Sequence, residues 1–183
     1  IVGGLEHNAV KKNLHLFFKP LTNDVGGIKN LEPAYFINAD ADHMREVIAN
    51  LVENAIKYTK QGEIVIDVFG DDSHVIVSVT DSGIGIPAED IPHLFQKFYR
   101  VDSSDTREIG GTGLGLYLCR RLVEAMEGRI WVESEKGIGS KFSIEIPRIS
   151  NTEAQQLIEL SENEVKPNEK YLTDPSKIDI ETK

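Results

Sequence analysis

Within 50–58, Asn50-Leu-Val-Glu-Asn54-Ala-Ile-Lys57-Tyr58, two carboxamides, an ammonium and a phenol recur at helical spacing. Asn50 and Asn54 stand one turn apart and share a face, and Lys57 follows three residues later. An asparagine inside a helix is a poor helix former, and either one alone could simply face water. An amide oxygen is also a hard, neutral ligand suited to magnesium, the remaining positions going to phosphate oxygens and water. Lys57 would then stand near phosphate as a point charge. Two glycine clusters follow, Asp81-Ser-Gly83-Ile-Gly85-Ile86 and Gly110-Gly111-Thr112-Gly113-Leu114-Gly115. Asp81 closes a β-branched run. Its carboxylate can accept from an exocyclic amine such as that of adenine, or it can cap its own turn. The second cluster precedes a helical pattern, so its N–H groups and the positive helix end can face phosphate. Together these pieces read as a site for a magnesium nucleotide.

The elements that must position them are legible around the site. Residues 14–18 and 35–38 read as short strands, with 19–32 as a connection through Pro20, Gly26 and Gly27. Asp40 caps a helix to Tyr58, because Met44, Val47, Ile48, Leu51, Ala55 and Ile56 keep a 3.6 period. Residues 63–69 and 74–80 form a hairpin around 70–73. A second helix spans 114–126, and strands at 129–134 and 140–146 follow, with Pro147 closing the sheet. Between Asp81 and Gly115 lies a long glycine-bounded loop with a short helical piece at 89–95, a composition that suits a functional lid. Phe95, Phe98, Tyr99 and Arg100 cluster in it and can pin it as a small satellite core, with Lys97 and Arg100 as candidate phosphate or partner contacts.

Composition limits the alternatives. Thirty acidic residues against 20 basic give a net charge of −10, which disfavours nucleic acid and anionic membrane as partners. Cys119 is the only cysteine, so no internal disulfide forms, and it reads as core. The five histidines are scattered, without the company a metal site needs. No run approaches a membrane span. The chain opens on Ile1 and reads as a piece of a larger protein. Three regions are expected: a leader over 1–13, a nucleotide domain over 14–149 with a lid at 86–110, and an acidic tail over 150–183. That tail carries eight acidic and four basic residues, two helical turns at 154–160 and partial disorder beyond them.

In order, Asn50…Asn54-Ala-Ile-Lys-Tyr, Asp81-Ser-Gly-Ile-Gly, Phe95-Gln-Lys-Phe-Tyr-Arg100, Gly111-Thr-Gly-Leu-Gly-Leu116 and Gly128-Arg-Ile-Trp-Val-Glu-Ser…Gly-Ile-Gly-Ser-Lys-Phe resemble the catalytic, ATP-binding domain of two-component sensor histidine kinases. That branch belongs to the gyrase, Hsp90 and MutL-like superfamily, and the resemblance spans roughly residues 14–147. It implies an α/β (α+β) two-layer sandwich of the Bergerat type, a mixed, mostly antiparallel sheet with helices on one face. It also implies Mg2+ and ATP, with Asn54 as metal ligand and Asn50 its partner. Lys57 and Tyr58 would contact phosphate and sugar, and Asp81 the adenine amine. Gly83, Gly85 and Ile86 would form the near hinge of the lid, and Gly111, Thr112, Gly113, Leu114 and Gly115 the far one. Asn50, Lys57 and Arg100 are the catalytic candidates, with Lys97 beside them. The implied partner is a histidine-bearing helical dimerisation domain of the same protein, with a response regulator beyond it. The domain would be cytoplasmic, any membrane anchor would lie in the parent, and the fragment alone would be monomeric. Hydrolysing relatives carry a glutamate where this chain has Asn50, and an amide is no general base; Glu53, adjacent to Asn54, is expected to point elsewhere. No acceptor histidine motif is present, since His7 is followed by Asn8-Ala9-Val10. The alternatives are a nucleotide-responsive docking module without transfer activity, and an ATPase.

Overall fold

The structure, a computed structural model, describes residues 2–18, 22–25, 28–31, 35–101 and 110–164. The first of two units, Ile1–Ile149, begins with α1 (Val2–Lys11), β1 (His15–Phe18), β2 (Thr22–Val25), β3 (Ile28–Leu31) and β4 (Phe36–Ile37). It continues with α2 (Ala41–Tyr58), β5 (Glu63–Gly70), β6 (His74–Asp81), a 3-10 turn (Ile91–His93), α3 (Gly115–Ala125), β7 (Arg129–Glu135) and β8 (Gly139–Ile149).

The main sheet runs β1-β5-β6-β8-β4, with β7 also paired to β8, and among the described residues only its β1–β5 pair is parallel. The β5–β6 hairpin is set by Asp71, whose Oδ1 accepts from the backbone N–H of Ser73 (2.7 Å) and His74 (2.8 Å) and from the Ser73 hydroxyl. These donors stabilise the anion and draw its pKa down to about 2.

Register explains where the site lies. Paired residues share a face, so one face carries rows Val68–Val77–Ile144–Ile130 and Ile66–Val79–Phe142–Val132. One pleat further the row reads Ile64–Asp81–Ser140–Ser134, and the apolar face turns polar. The helices cover that face. Helix α2, capped by Asp40 accepting from the Asp42 and His43 N–H groups, buries Val47, Leu51, Val52, Ala55 and Ile56. Helix α3 adds Cys119 and Val123. Leu51 alone, 1% exposed, contributes about 1.5–3 kcal/mol by leaving water.

Several local expectations change. Residues 1–13, read as a leader, contain α1, whose Leu5 and Ala9 enter the same core with Leu14. The connection over 19–32 contains the β2–β3 hairpin. Pro147 does not close the sheet: β8 continues past it, and Arg148 and Ile149 pair with β4. The helical piece expected at 89–95 is only the 3-10 turn over Ile91–His93.

The second unit, Ser150–Lys183, contains α4 (Asn151–Glu164), longer than the two turns expected. Ser150 and Glu153 cap it reciprocally. The Ser150 N–H donates to Glu153 Oε2 at 2.8 Å and the Glu153 N–H to Ser150 Oγ at 3.2 Å. The disorder expected further along the tail falls on 165–183, outside the described residues. Among the described residues no helix is long and apolar enough to cross a membrane.

Candidate nucleotide site

Asn50, Glu53, Asn54 and Lys57 stand at i, i+3, i+4 and i+7 on α2, and all four line one cavity of about 330 Å³, with Tyr58 beside them. The Asn54 Nδ2 donates to Asn50 Oδ1 at 3.0 Å. That bond turns Asn54 Oδ1 away from Asn50 and leaves it as the amide atom a cation can use. Glu53 corrects the expectation that it points elsewhere. Its position three residues after Asn50 and four before Lys57 keeps it on the same broad stripe, and that spacing was the available signal.

The start of α3 completes this wall. A Cβ on Gly115 would lie 2.6 Å from Asn50 Nδ2, so glycine here lets α3 begin against the asparagine pair without displacing the Asn50 amide. Gly111, Thr112 and Gly113 line the cavity next to it. The Lys57 ammonium reaches Gly111, since a Cβ there would stand 2.9 Å from Nζ. Arg100 Nη1 donates to the Gly111 carbonyl at 3.0 Å.

Asp81 lines the same cavity from the polar end of the sheet rows. It is 8% exposed, and its Oδ1 accepts from the Gly83 N–H at 2.9 Å. The turn-capping and base-facing readings of Asp81 are therefore compatible, since the Asx turn fixes the carboxylate that lines the cavity. Burial pushes its pKa up from the ordinary 3.8, partly offset by N–H donors from Gly83 and Ser140. The neighbouring hinge is clamped to the β7–β8 turn. Ile86 N–H donates to Ser134 Oγ at 2.9 Å, and Gly137 N–H to the Ile84 carbonyl at 2.7 Å. Gly85 has φ +64, and a Cβ would come within 1.9 Å of the Glu135 carbonyl oxygen. This clamp brings Lys136 and Ser140 into the wall, and Phe142 joins them. Sequence spacing gave no sign of these three, because register and a distant turn deliver them.

The described part of the expected lid is pinned. Leu94 is buried, Tyr99 Oη donates to Asp90 Oδ1 at 2.5 Å, and Phe98 N–H donates to the Gly113 carbonyl at 3.0 Å. The Asp90 acceptor raises the Tyr99 phenol pKa. The aromatic cluster divides: Phe95 packs on the core, whereas Phe98 is 64% exposed with φ 67, a strained conformation for an aromatic residue. Lys97 stands outside the cavity, its ammonium 5.2 Å from the Phe98 ring centroid, and does not meet the expectation of a phosphate contact there. Gly83 and Leu114 do not line the cavity either; Gly83 acts through its N–H, and Leu114 is the N-cap residue of α3. Residues 102–109 lie outside the described residues.

The wall therefore sets Lys57, Arg100 and Lys136 against Glu53 and Asp81, a local excess of cations in a chain of net charge −10. Among the described residues no three histidine, cysteine, aspartate or glutamate side chains gather to hold a metal ion. A cation here would take most of its ligands from a bound phosphate and water, which is the usual habit of magnesium.

Comparison with known proteins gives the family and the fold. Residues 39–150 match the family described as histidine kinase-, DNA gyrase B-, and HSP90-like ATPase. The chain is 43% identical over 111 residues to the sensor histidine kinase RcsC of Escherichia coli (strain K12), covering 61% of this chain and 12% of that protein. It is similar to a nucleotide-free catalytic domain of histidine kinase ThkA, with TM-score 0.62, 31% identity, and coverage of 80% of this chain and 88% of that one. Full-length ShkA in complex with AMPPNP gives TM-score 0.67 at 27% identity, over 81% of this chain and 28% of that one. The chain thus spans only a small part of the full-length kinases it matches. It belongs to the histidine kinase-, DNA gyrase B-, and HSP90-like ATPase family, as the catalytic ATP-binding domain found in sensor histidine kinases.

Proposed function

We propose that this chain binds Mg·ATP in the cavity between α2 and the polar end of the sheet, and donates the γ-phosphoryl group to a histidine on a separate helical dimerisation domain of the same protein. The observation that carries this reading is that one cavity gathers both kinds of group. A buried carboxylate suits the adenine amine, and the Asn50–Asn54 pair, Lys57 and the Gly111–Gly115 segment suit phosphates. The ShkA relative, solved with AMPPNP, supports it.

Asp81 accepts the base amine and so selects adenine. The Asn54 Oδ1 would hold the metal that accompanies the phosphates, and Asn50 keeps that oxygen turned outward. Magnesium, when bound, offsets the negative charge of the phosphates. Lys57, Arg100 and the α3 N-terminus stabilise charge on the transferred group. An imidazole nitrogen of the acceptor then bonds to the γ-phosphorus while the bond to the β–γ bridging oxygen breaks, ADP leaves, and the imidazole proton is released. The response regulator takes the group from that histidine and is an indirect partner.

A second reading, ATP hydrolysis, rests on Glu53, which brings a carboxylate to the same wall. Asn50 argues against it, because an amide cannot remove a proton from water. The test is to incubate the full protein, or this chain with its histidine-bearing domain, with γ-labelled ATP. Acid-labile, base-stable label on the helical domain is expected. Tight ATP binding without transfer would indicate a docking module instead, and free phosphate an ATPase.

A further inference from the structure

A helix ends with four carbonyls that have no partner inside it. Over the last turn of α2 the carbonyls of Ala55, Ile56, Lys57 and Tyr58 are all met. Thr59 N–H donates to Ala55 at 3.1 Å, and Ile84 N–H to Tyr58 at 3.3 Å. The remaining two take one donor: Lys12 Nζ lies 3.0 Å from the Ile56 carbonyl oxygen and 3.3 Å from that of Lys57. Lys12 belongs to the turn after α1. Asn13 closes that turn in the left-handed region (φ 55), with Leu14 N–H donating to Ala9 at 3.0 Å. Leu5, Ala9 and Leu14, all buried in the core that α2 shares, fix the turn in place.

We propose that Lys12 is a positioning residue for the phosphate wall of the nucleotide site, a role that rests on the ATP reading above. The last turn of α2 carries the Lys57 and Tyr58 side chains that line the cavity, and its backbone is anchored by the Lys12 ammonium. A cation at a helix C-terminus also meets the negative end of the helix dipole. Without it, two carbonyls turn to water, the turn frays, and Lys57 loses its fixed approach to Gly111. Asp81 does not depend on this anchor, because strand register holds it between Ile64 and Ser140. The turn after α1 thereby acts on phosphate affinity and leaves base affinity alone.

The test compares calorimetric titrations of ATP and of adenosine for the unsubstituted chain, Lys12→Met, Lys12→Arg and Lys11→Met, below the thermal midpoint of each variant. Lys11 is the exposed neighbouring cation and controls for charge alone. The expectation is a roughly three- to tenfold loss of ATP affinity in Lys12→Met, with adenosine affinity unchanged, Lys12→Arg near the unsubstituted value and Lys11→Met silent. Equal losses for ATP and adenosine, a matching loss in Lys11→Met, or no loss at all would overturn it. Failure of the unsubstituted chain to bind ATP would instead remove the ATP reading, and this proposal with it.

Discussion

Gly115 at the start of α3 packs directly on the side-chain amide of Asn50, the residue that accepts the Asn54 Nδ2 at 3.0 Å. The atom that would face the metal is thus set by contact between two helices. Gly115→Ala is expected to push Asn50 aside, since the new Cβ would lie 2.6 Å from its Nδ2. Alanine also favours the helix by up to about 1 kcal/mol. Thermal stability should hold or rise while magnesium-dependent ATP affinity falls. An unchanged affinity would mean that the Asn50 orientation is irrelevant.

Asn54→Ala should remove the magnesium dependence of nucleotide binding and leave the fold intact, because the side chain is only half-buried and its partner Asn50 can turn to water. Comparing ATP affinity with magnesium and with chelator, for parent and variant, reads this directly. A variant with the parent's metal dependence would exclude Asn54 as ligand.

Asp81→Ala should abolish the preference for ATP over GTP, at a cost of roughly 1–3 kcal/mol in ATP binding for the unpaired amine. Titration with both nucleotides decides it. Equal affinities in the unsubstituted chain would refute the role assigned to the carboxylate.

Acid should act on Asp81 in two opposite directions. Its pKa lies above the ordinary 3.8, so the folded state binds this proton more tightly than the unfolded one. Its contribution to stability is therefore greatest below the unfolded value and is lost as pH rises through the folded value. Nucleotide affinity does the reverse and declines as the carboxylate protonates. Asp71, drawn down to about 2, shows the contrasting sign: its contribution is present above the unfolded value and is lost as pH falls. Carboxyl NMR titration should find Asp81 above 3.8 and Asp71 far below it, and finding the two together would contradict both environments.

Nucleotide should slow amide exchange across 110–115 and at 99–101, where Arg100 and Phe98 tie the lid base to the glycine cluster. Equal protection with and without nucleotide would argue against closure over the phosphates.

The parts readable in the sequence were those whose periodicity has a single physical source. Helix α2 and strands β5 to β8 bury one face each, so Val47, Leu51 and Ala55, or Ile64 and Ile66, repeat at the period their geometry demands. Helix α1 was missed because Gly3 and Gly4 weaken its local propensity, and it depends on Leu5 and Ala9 packing against the core. Pro147 read as a stop, but a strand can pass through proline where no ladder donor is needed, and pairing of Arg148 and Ile149 with β4 carries β8 onward. Asn50, Asn54, Lys57 and Asp81 stood out because polar groups interrupt apolar patterns there. Lys136, Ser140 and Phe142 interrupt nothing, and only strand register and the β7–β8 turn bring them to the cavity.

The polar row Ile64–Asp81–Ser140–Ser134 is held by ladder pairing along its whole width, whereas the rest of the cavity is lined by the last turns of α2, the start of α3 and a glycine segment. The two parts therefore differ in what a small-molecule inhibitor would meet. A compound confined to the Asp81 side binds a surface that cannot shift without shearing the sheet, so its residence time should be indifferent to how the last turn of α2 is held. One that extends past Tyr58 to Lys57 and Gly111 would instead leave faster whenever that turn loosens.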